Sequence, residues 1–184
     1  MSDTAARPAS SDHGAASHHH GHVPHGATAV VVTVSDRSAR GERPDRSGPR
    51  AAELLEQAGL ATRVMVVPDG ADSVREALLA VTREGADLVL TTGGTGVGPR
   101  DQTPEGTRPL LTRELPGVAE LLRADGVRHT PTAALGRGVA GLVGTTLVVN
   151  LPGSTRAVEQ GLAVLLPLLG HVLEQVRGAD HHEP

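Results

Sequence analysis

A glycine-rich turn between an apolar run and a helix start is the feature that most constrains this chain. Residues 86–90 form a short, mostly apolar run, residues 91–96 read Thr-Thr-Gly-Gly-Thr-Gly, and residues 103–105 read Thr-Pro-Glu. Glycines lack Cβ atoms, so the backbone can adopt left-handed conformations and approach a ligand closely. The Thr-Pro-Glu sequence predicts a helix with Thr103 as its N-cap. Such a turn offers free N–H groups and a positive dipole end to an anion, and it also fits a tight turn that needs glycine for shape alone.

Short apolar runs alternate with segments of helical periodicity along most of the chain. The predicted strands are residues 29–34, 62–67, 88–92 and 145–150, with an irregular strand within 133–143. The predicted helices are residues 47–58, 73–85, 103–112, 118–124 and 154–166, with Pro167 expected to kink or split the last. Ser73 and Ser154 are predicted as N-caps, and Gly126 is predicted to end the fourth helix. Alternation of this kind predicts an α/β fold, a three-layer α/β/α sandwich with a mainly parallel sheet.

The 184 residues predict one domain, residues 27–177, between two tails. Residues 1–26 contain almost nothing to bury and predict a disordered tail, and residues 178–184 form a polar C-terminal tail. The N-terminal tail contains His13, His18, His19, His20, His22 and His25. Such a cluster can bind Zn, Ni or Cu weakly. A solvated tail of no fixed function is the favoured interpretation, because no further ligand fixes a geometry.

The residue types that are missing exclude several kinds of chemistry. The chain contains no Cys, Lys, Ile, Phe, Trp or Tyr, and all 17 basic residues are Arg. Thiolate catalysis, a Schiff base and a P-loop lysine are therefore excluded, and no aromatic ring can stack on a nucleic-acid base. The net charge of −4 gives no general attraction to nucleic acid or acidic membranes. No long apolar run or signal-peptide pattern is present, so we expect a cytoplasmic protein without membrane or nucleic-acid partners.

Four predicted strands end in polar or glycine-rich turns, at residues 35–37, 68–70, 93–101 and 151–154. Parallel strands bring their carboxyl ends to one rim, where ligands bind in such sheets. The predicted cleft contains glycine amides, two arginines and three acids, namely Arg37, Arg100, Asp36, Asp69 and Asp101. Phosphate ligands with Mg²⁺ fit this mixture, because Mg²⁺ is usually held by one or two carboxylates together with substrate phosphates. Each acid also fits a turn or cap, and the residues alone leave that choice open.

These motifs resemble the Mog and MoaB family of molybdenum-cofactor biosynthesis, whose domain also occurs in gephyrin. The resemblance extends over about residues 27–177. It is carried by residues 91–96, 99–105, 35–37, Asp45 with 47–49, 116–117, 131–132 and 150–154 in the expected order. It implies a three-layer α/β fold, molybdopterin as ligand, and a homo-oligomer, usually a trimer and sometimes a hexamer.

In the Mog branch, the resemblance implies adenylylation. The terminal phosphate of molybdopterin attacks the α-phosphate of MgATP, which gives adenylyl-molybdopterin and pyrophosphate. The resemblance selects Asp69 and Asp101 as the catalytic, Mg²⁺-holding acids. The implied substrate- and nucleotide-binding residues are Ser35, Asp36, Arg37, Ser47, Gly48, Thr92, Gly93, Gly94, Thr95, Gly96, Arg100, Arg137, Pro152, Gly153 and Ser154.

One departure from the family pattern bears on the ligand. Many members have Leu-Ser-Arg where this chain has Leu135-Gly136-Arg137. A hydroxyl group is therefore missing, while Arg137 remains a candidate anion partner. Two alternatives to the enzyme stay open. One is a MoaB-like protein that binds molybdopterin or its precursor without reacting it, and the other is a metal-handling protein that acts through the N-terminal histidines.

Overall fold

The computed structural model describes residues 23–178. The predicted tails lie largely outside these residues, and so do five of the six N-terminal histidines, His13, His18, His19, His20 and His22. Val23 is partly buried against the core. The domain boundaries at residues 27 and 177 stay a prediction.

A six-stranded sheet forms the centre of the structure. Its strands are β1 (Thr28–Val34), β2 (Ala61–Val67), β3 (Leu88–Thr92), β4 (Arg113–Glu114), β5 (Ala140–Val143) and β6 (Thr146–Leu151). Their spatial order is β2-β1-β3-β6-β5-β4. The pairings β2-β1, β1-β3 and β3-β6 are parallel, whereas β5 and β4 are added antiparallel at one edge. The prediction of a mainly parallel sheet is confirmed, and the two-residue strand β4 was not predicted.

Helices cover both faces of this sheet. They are α1 (Asp36–Ala39), α2 (Ser47–Gln57), α3 (Ala71–Arg83), α4 (Thr103–Thr107), α5 (Pro116–His129) and α6 (Thr155–Val176). Neighbouring residues of β1 face opposite sides. Val31 packs in a core with Leu55 of α2 and Leu162 of α6, whereas Val30 and Val32 pack in a second core that includes residues of α3. This burial on both faces explains the continuous β-branched run of β1, and it confirms the three-layer fold.

Tertiary contacts override several local predictions. The helix predicted to stop at Gly126 continues to His129, and a Cβ on Gly126 would lie only 3.0 Å from Ala133 Cβ. Gly126 therefore permits close packing rather than ending the helix, at a cost in helix propensity of about 1 kcal/mol. The helix predicted over residues 103–112 ends at Thr107 and continues as a short 3₁₀ helix, Arg108–Leu110.

Two predicted N-caps are also wrong. Helix α4 begins at Thr103, so Gln102 occupies the cap position, and the Thr103 hydroxyl instead donates to Gly93 O (2.8 Å). Helix α3 begins at Ala71 rather than after Ser73, whose hydroxyl donates to Pro68 O (2.7 Å). In both cases the hydroxyl donates to a neighbouring carbonyl oxygen, instead of capping the helix as the sequence pattern predicts.

Helix α6 is one continuous helix with Pro167 inside it. In the described part of the chain it is the one helix long and apolar enough to cross a membrane by length and composition. Its buried residues recur every three or four positions, at Val158, Gly161, Leu162, Leu165, Leu169, Gly170 and Leu173. That spacing places them on one helix face. Packing of this face on the sheet accounts for the apolar character of α6.

Asp87 joins three segments at the amino ends of β1 and β3. The Thr28 N–H donates to its Oδ2 (2.8 Å), and Arg177 Nη2, just after α6, donates to its Oδ1 (2.7 Å). Burial alone would raise the pKa of Asp87, but the hydrogen bonds from Arg177 and Thr28 outweigh it and hold the pKa below its usual value.

The substitution Asp87→Asn is expected to lower stability at pH 7 by about 1 kcal/mol, because it weakens charge-assisted hydrogen bonds. A carboxyl whose pKa is depressed by folding contributes stability above its unfolded pKa and loses it as pH falls through the folded value. The difference from wild type should therefore shrink below about pH 4, as measured by thermal unfolding between pH 3 and 8. Asp72→Asn, at an exposed ion pair with Arg75, is the control. A difference that stays constant with pH would contradict this role.

Candidate functional site

The four strand exits predicted to meet do meet at one rim of the sheet. The Ser35 N–H donates to Val67 O (2.9 Å), which joins the exits of β1 and β2. The Gly93 N–H donates to Leu151 O (3.0 Å), which joins the exits of β3 and β6. The parallel register of these strands produces the arrangement, because it ends them at the same level.

The glycine-rich loop, residues 93–101, depends on glycine at its first two positions. Gly93 and Gly94 have φ angles of 101° and 63°, in the left-handed region. A Cβ on Gly93 would lie 2.5 Å from Val34 O, and one on Gly94 would lie 2.3 Å from Thr103 Oγ1. The Thr103 N–H also donates to Gly94 O (3.0 Å). The loop is therefore docked between the end of β1 and the start of α4.

Asp101 is held against the same loop. Its Oδ2 accepts a hydrogen bond from the Gly98 N–H (2.9 Å). A Cβ on Gly96 or Gly98 would lie 2.9 or 2.8 Å from that oxygen. The two glycines thus allow the carboxylate to lie directly on the loop backbone.

A polar cluster lies where the β1 and β2 exits meet. The Asp36 N–H donates to Asp69 Oδ2 (3.0 Å), and the Asp69 N–H donates to Asp36 Oδ1 (3.1 Å). Asp36 also forms an ion pair with Arg100 of the glycine-rich loop. These contacts bring together four of the predicted residues, since the charge of Arg37 also acts on Asp69.

The negative charge of Asp101 acts on Asp69 across the rim. Burial raises the pKa of Asp69, the negative charge of Asp101 raises it further, and Arg37 and Arg40 offset this in part. A divalent cation would relieve this repulsion, and these two acids are the residues that could hold one. Among residues 23–178, no group of three or more His, Asp or Glu is arranged to bind a metal. The pair fits Mg²⁺, which takes most of its remaining ligands from phosphates and water.

A cavity of about 610 Å³ lies beside the glycine-rich loop, between that loop, α5 and the start of α6. Its volume is typical of small-molecule sites. Eight predicted site residues line it, namely Gly93, Gly94, Thr95, Gly96, Asp101, Pro152, Gly153 and Ser154. Asp101 therefore faces this cavity and also acts on Asp69. Asp69, Asp36, Arg37 and Arg100 do not line the cavity.

Most of the opposite wall of the cavity was not predicted. It is formed by α5 and the segment that follows, and includes Leu122, Arg123, Asp125, Gly126, Thr130, Thr132 and Gly136. Thr132 and Gly136 lie in segments that were compared with the family pattern. No local motif marks the residues of α5, because only the packing of that helix brings them to the rim. Asn150 also lines the cavity. The sequence could have indicated Asn150 as a site residue, because it is a polar side chain at the end of a buried strand.

Three predicted binding residues lie in a buried network beneath the rim. Ser47 and Thr92 share a hydrogen bond of 3.1 Å, and Asp45 accepts from Thr33 (2.7 Å), from Ser47 (3.2 Å) and from the Gly48 N–H (3.1 Å). Ser47, Gly48 and Thr92 do not line the cavity. Ser35 and Ser154 are the N-caps of α1 and α6, so the predicted cap at Ser154 is confirmed.

The last predicted binding residue, Arg137, lines a second, smaller cavity of about 380 Å³ together with Asp101 and Glu105. The neighbouring Gly136 lines the larger cavity, and its carbonyl oxygen accepts from Arg123 Nη1 (3.1 Å). The departure from the family pattern at position 136 therefore lies in the wall of the larger cavity.

A glycine-rich loop, paired acids and a cavity at the rim of a mainly parallel sheet define a small-molecule-binding α/β domain. The family profile described as "Probable molybdopterin binding domain" matches residues 30–171. The chain therefore belongs to this molybdopterin-binding family of Mog and MoaB proteins, as the motifs predicted.

Related proteins span most of the chain. The molybdopterin adenylyltransferase of Pyrococcus furiosus is 40% identical, and the alignment covers 80% of this chain and 89% of the relative. A solved molybdopterin biosynthesis protein from Mycobacterium abscessus is 45% identical with a TM-score of 0.79, over 83% of this chain and 97% of that one. The molybdenum cofactor biosynthesis bifunctional protein of Synechococcus elongatus is 43% identical over 85% of this chain. The chain covers only 49% of that longer protein.

Gly48→Ala is expected to lower the free energy of unfolding by about 1–3 kcal/mol. The added Cβ would lie 2.3 Å from Asp45 Oδ2 and 2.5 Å from Thr33 Oγ1. Gly117→Ala is the matched control, because Gly117 is also the second residue of a helix and has no atom within 4 Å of the added Cβ. It should be neutral or stabilising. Urea unfolding compares the two, and equal effects would contradict the packing argument.

Asp69→Asn is expected to raise the thermal stability at pH 7 slightly. Because folding raises the pKa of Asp69, the stability this carboxyl contributes is present below its unfolded pKa and lost as pH rises through the folded value. Removing the charge should therefore raise the melting temperature at neutral pH, and this increase should disappear below about pH 4. Thermal unfolding between pH 3 and 8 measures this, with Asp72→Asn as control. A lower melting temperature than wild type at pH 7 would contradict the assignment.

Proposed function

We propose that the protein adenylylates molybdopterin with MgATP in molybdenum-cofactor biosynthesis. The observation that carries the proposal is the position of Asp101. It lines the larger cavity, and its charge raises the pKa of Asp69. Asp101 thus belongs both to the wall of the cavity and to the pair of acids, and it lies in the glycine-rich loop. The similarity to the molybdopterin adenylyltransferase of Pyrococcus furiosus supports the same reaction.

The reaction transfers an adenylyl group between two phosphates. A terminal phosphate oxygen of molybdopterin forms a bond to the α-phosphorus of ATP, and the bond from that phosphorus to the bridging oxygen of pyrophosphate breaks. Pyrophosphate leaves with that electron pair. Such reactions need positioning and charge stabilisation more than covalent help from the protein. The absence of Cys and Lys is therefore no obstacle.

The residues at the rim have distinct roles in this proposal. The larger cavity holds the pterin, since its walls include several small residues such as Ala119, Ala133 and Gly136. The backbone of Gly94–Gly96 and the guanidinium groups of Arg37 and Arg100 stabilise charge on the phosphates. Asp69 and Asp101 would hold Mg²⁺, which when bound neutralises phosphate charge and orients the phosphate oxygens.

The proposal also includes a homotrimer and a cytoplasmic location. Both rest on the resemblance to this family, and they do not affect the chemistry argued from the rim.

Asp101→Asn is expected to lower the rate of adenylyl-molybdopterin formation by about 100-fold or more, because it removes one of two charges that hold the metal–phosphate complex. Asparagine keeps the acceptor for the Gly98 N–H, so the fold should be retained. The assay incubates purified protein with ATP, Mg²⁺ and molybdopterin and detects the adenylylated product. Asp72→Asn is the matched control.

Three outcomes would contradict this proposal. Full activity in Asp101→Asn would show that the Asp101 carboxylate takes no part in the reaction. Tight molybdopterin binding by wild type with no MgATP binding, measured in separate titrations, would favour the MoaB-like binder. A variant lacking residues 1–22 should keep full activity. Loss of activity in that variant would favour the metal-handling alternative.

A further inference from the structure

Arg137 connects the segment before β5 to both ends of the glycine-rich loop. Its backbone N–H donates to Thr95 O (2.9 Å), and its Nε donates to Gly96 O (2.7 Å). Its Nη2 donates to Asp101 O, and its Nη1 pairs with the carboxylate of Glu105 in α4. One guanidinium therefore contacts the chain on both sides of Asp101, at Gly96 and Glu105, and also at Asp101 itself.

These contacts occupy the guanidinium with protein acceptors. Arginine presents its N–H donors in a planar fork, and here all three nitrogens of Arg137 donate to the loop or to Glu105. The same interaction lowers the pKa of Glu105, so this carboxylate is ionised at neutral pH. Four of its five N–H donors are used in this way, so a substrate phosphate could reach only the second N–H of Nη1 without displacing Glu105 or a loop carbonyl. A bound anion is thus a poor explanation of why arginine stands here.

We infer that Arg137 is a positioning residue that closes the glycine-rich loop around Asp101, with Glu105 as its partner, rather than a ligand of the substrate. The inference rests on the proposed function for its effect on catalysis. The loop geometry itself does not depend on that function. Without the guanidinium, Gly96 O and Asp101 O each lose a hydrogen bond, and the segment that carries the Asp101 carboxylate is no longer fixed.

Hydrogen exchange followed by mass spectrometry tests the loop without any substrate. Arg137→Ala and Glu105→Gln should both speed exchange in peptides covering residues 94–105, by about tenfold for Arg137→Ala, which corresponds to the loss of one or two net hydrogen bonds. The double variant should exchange no faster than Arg137→Ala, because both changes break the same set of interactions. Arg63→Ala is the control, since Arg63 pairs with Glu84 at the far edge of the sheet.

Steady-state kinetics supply the second readout. Arg137→Lys, which can replace only one of the contacts, should lower kcat and raise the Mg²⁺ concentration needed for half-maximal rate, while the KM for ATP changes less than about twofold. Glu105→Gln should act in the same direction. If Arg137 bound a substrate anion instead, Glu105→Gln would free its charge and tighten binding of MgATP or pyrophosphate.

The outcomes separate the inference from the proposed function. Unchanged exchange in Arg137→Ala, or tighter nucleotide binding in Glu105→Gln, would overturn the positioning role. Absence of adenylylation by wild type would overturn the proposed function and leave the exchange result standing. If Arg137→Ala fails to fold, Arg137→Lys and Glu105→Gln provide the same comparison.

Discussion

The parallel register of β1, β3 and β6 is the constraint on which the rest of the structure depends. Thr92 of β3 lies opposite Thr33 of β1 and Leu151 of β6, so the three strands end together. Their exits are then so close that a Cβ on Gly153 would lie 3.1 Å from Gly93 Cα. Glycine at these positions is a consequence of the register, and the shape of the loop follows from the glycines.

The floor of the site is built from buried hydroxyl and amide groups instead of aromatic rings. The Asn150 amide donates to Thr91 (2.9 Å) and to Thr107 (3.1 Å), and the Asp45 network joins Thr33 to Thr92 on the neighbouring side. Buried polar networks that are satisfied in this way rigidify a site and specify one arrangement. In a chain without Phe, Tyr or Trp, they give the rim a stiffness that small aliphatic side chains alone would not supply.

Two aspartates illustrate the difference between stability and function in this fold. Asp87 accepts hydrogen bonds from Thr28 and Arg177, its pKa is lowered, and its charge stabilises the folded chain. Asp69 is partly buried near Asp101, and its pKa is raised. A carboxylate held near a like charge costs stability until a cation or a proton neutralises it. Such an arrangement is typical of functional sites, where local stability is lower than it could be.

The sequence by itself determined the elements whose signals are local. The β-branched run of β1, the strand–glycine–helix unit at β3 and the cap at Ser154 depend on neighbours within a few residues, and all three were predicted. Only the tertiary structure decided the far wall of the cavity, the packing role of Gly48 and the contacts of Arg137. Arg137 and Gly96, for example, are 41 positions apart. No periodicity or capping rule connects residues at such distances, because the fold as a whole brings them into contact.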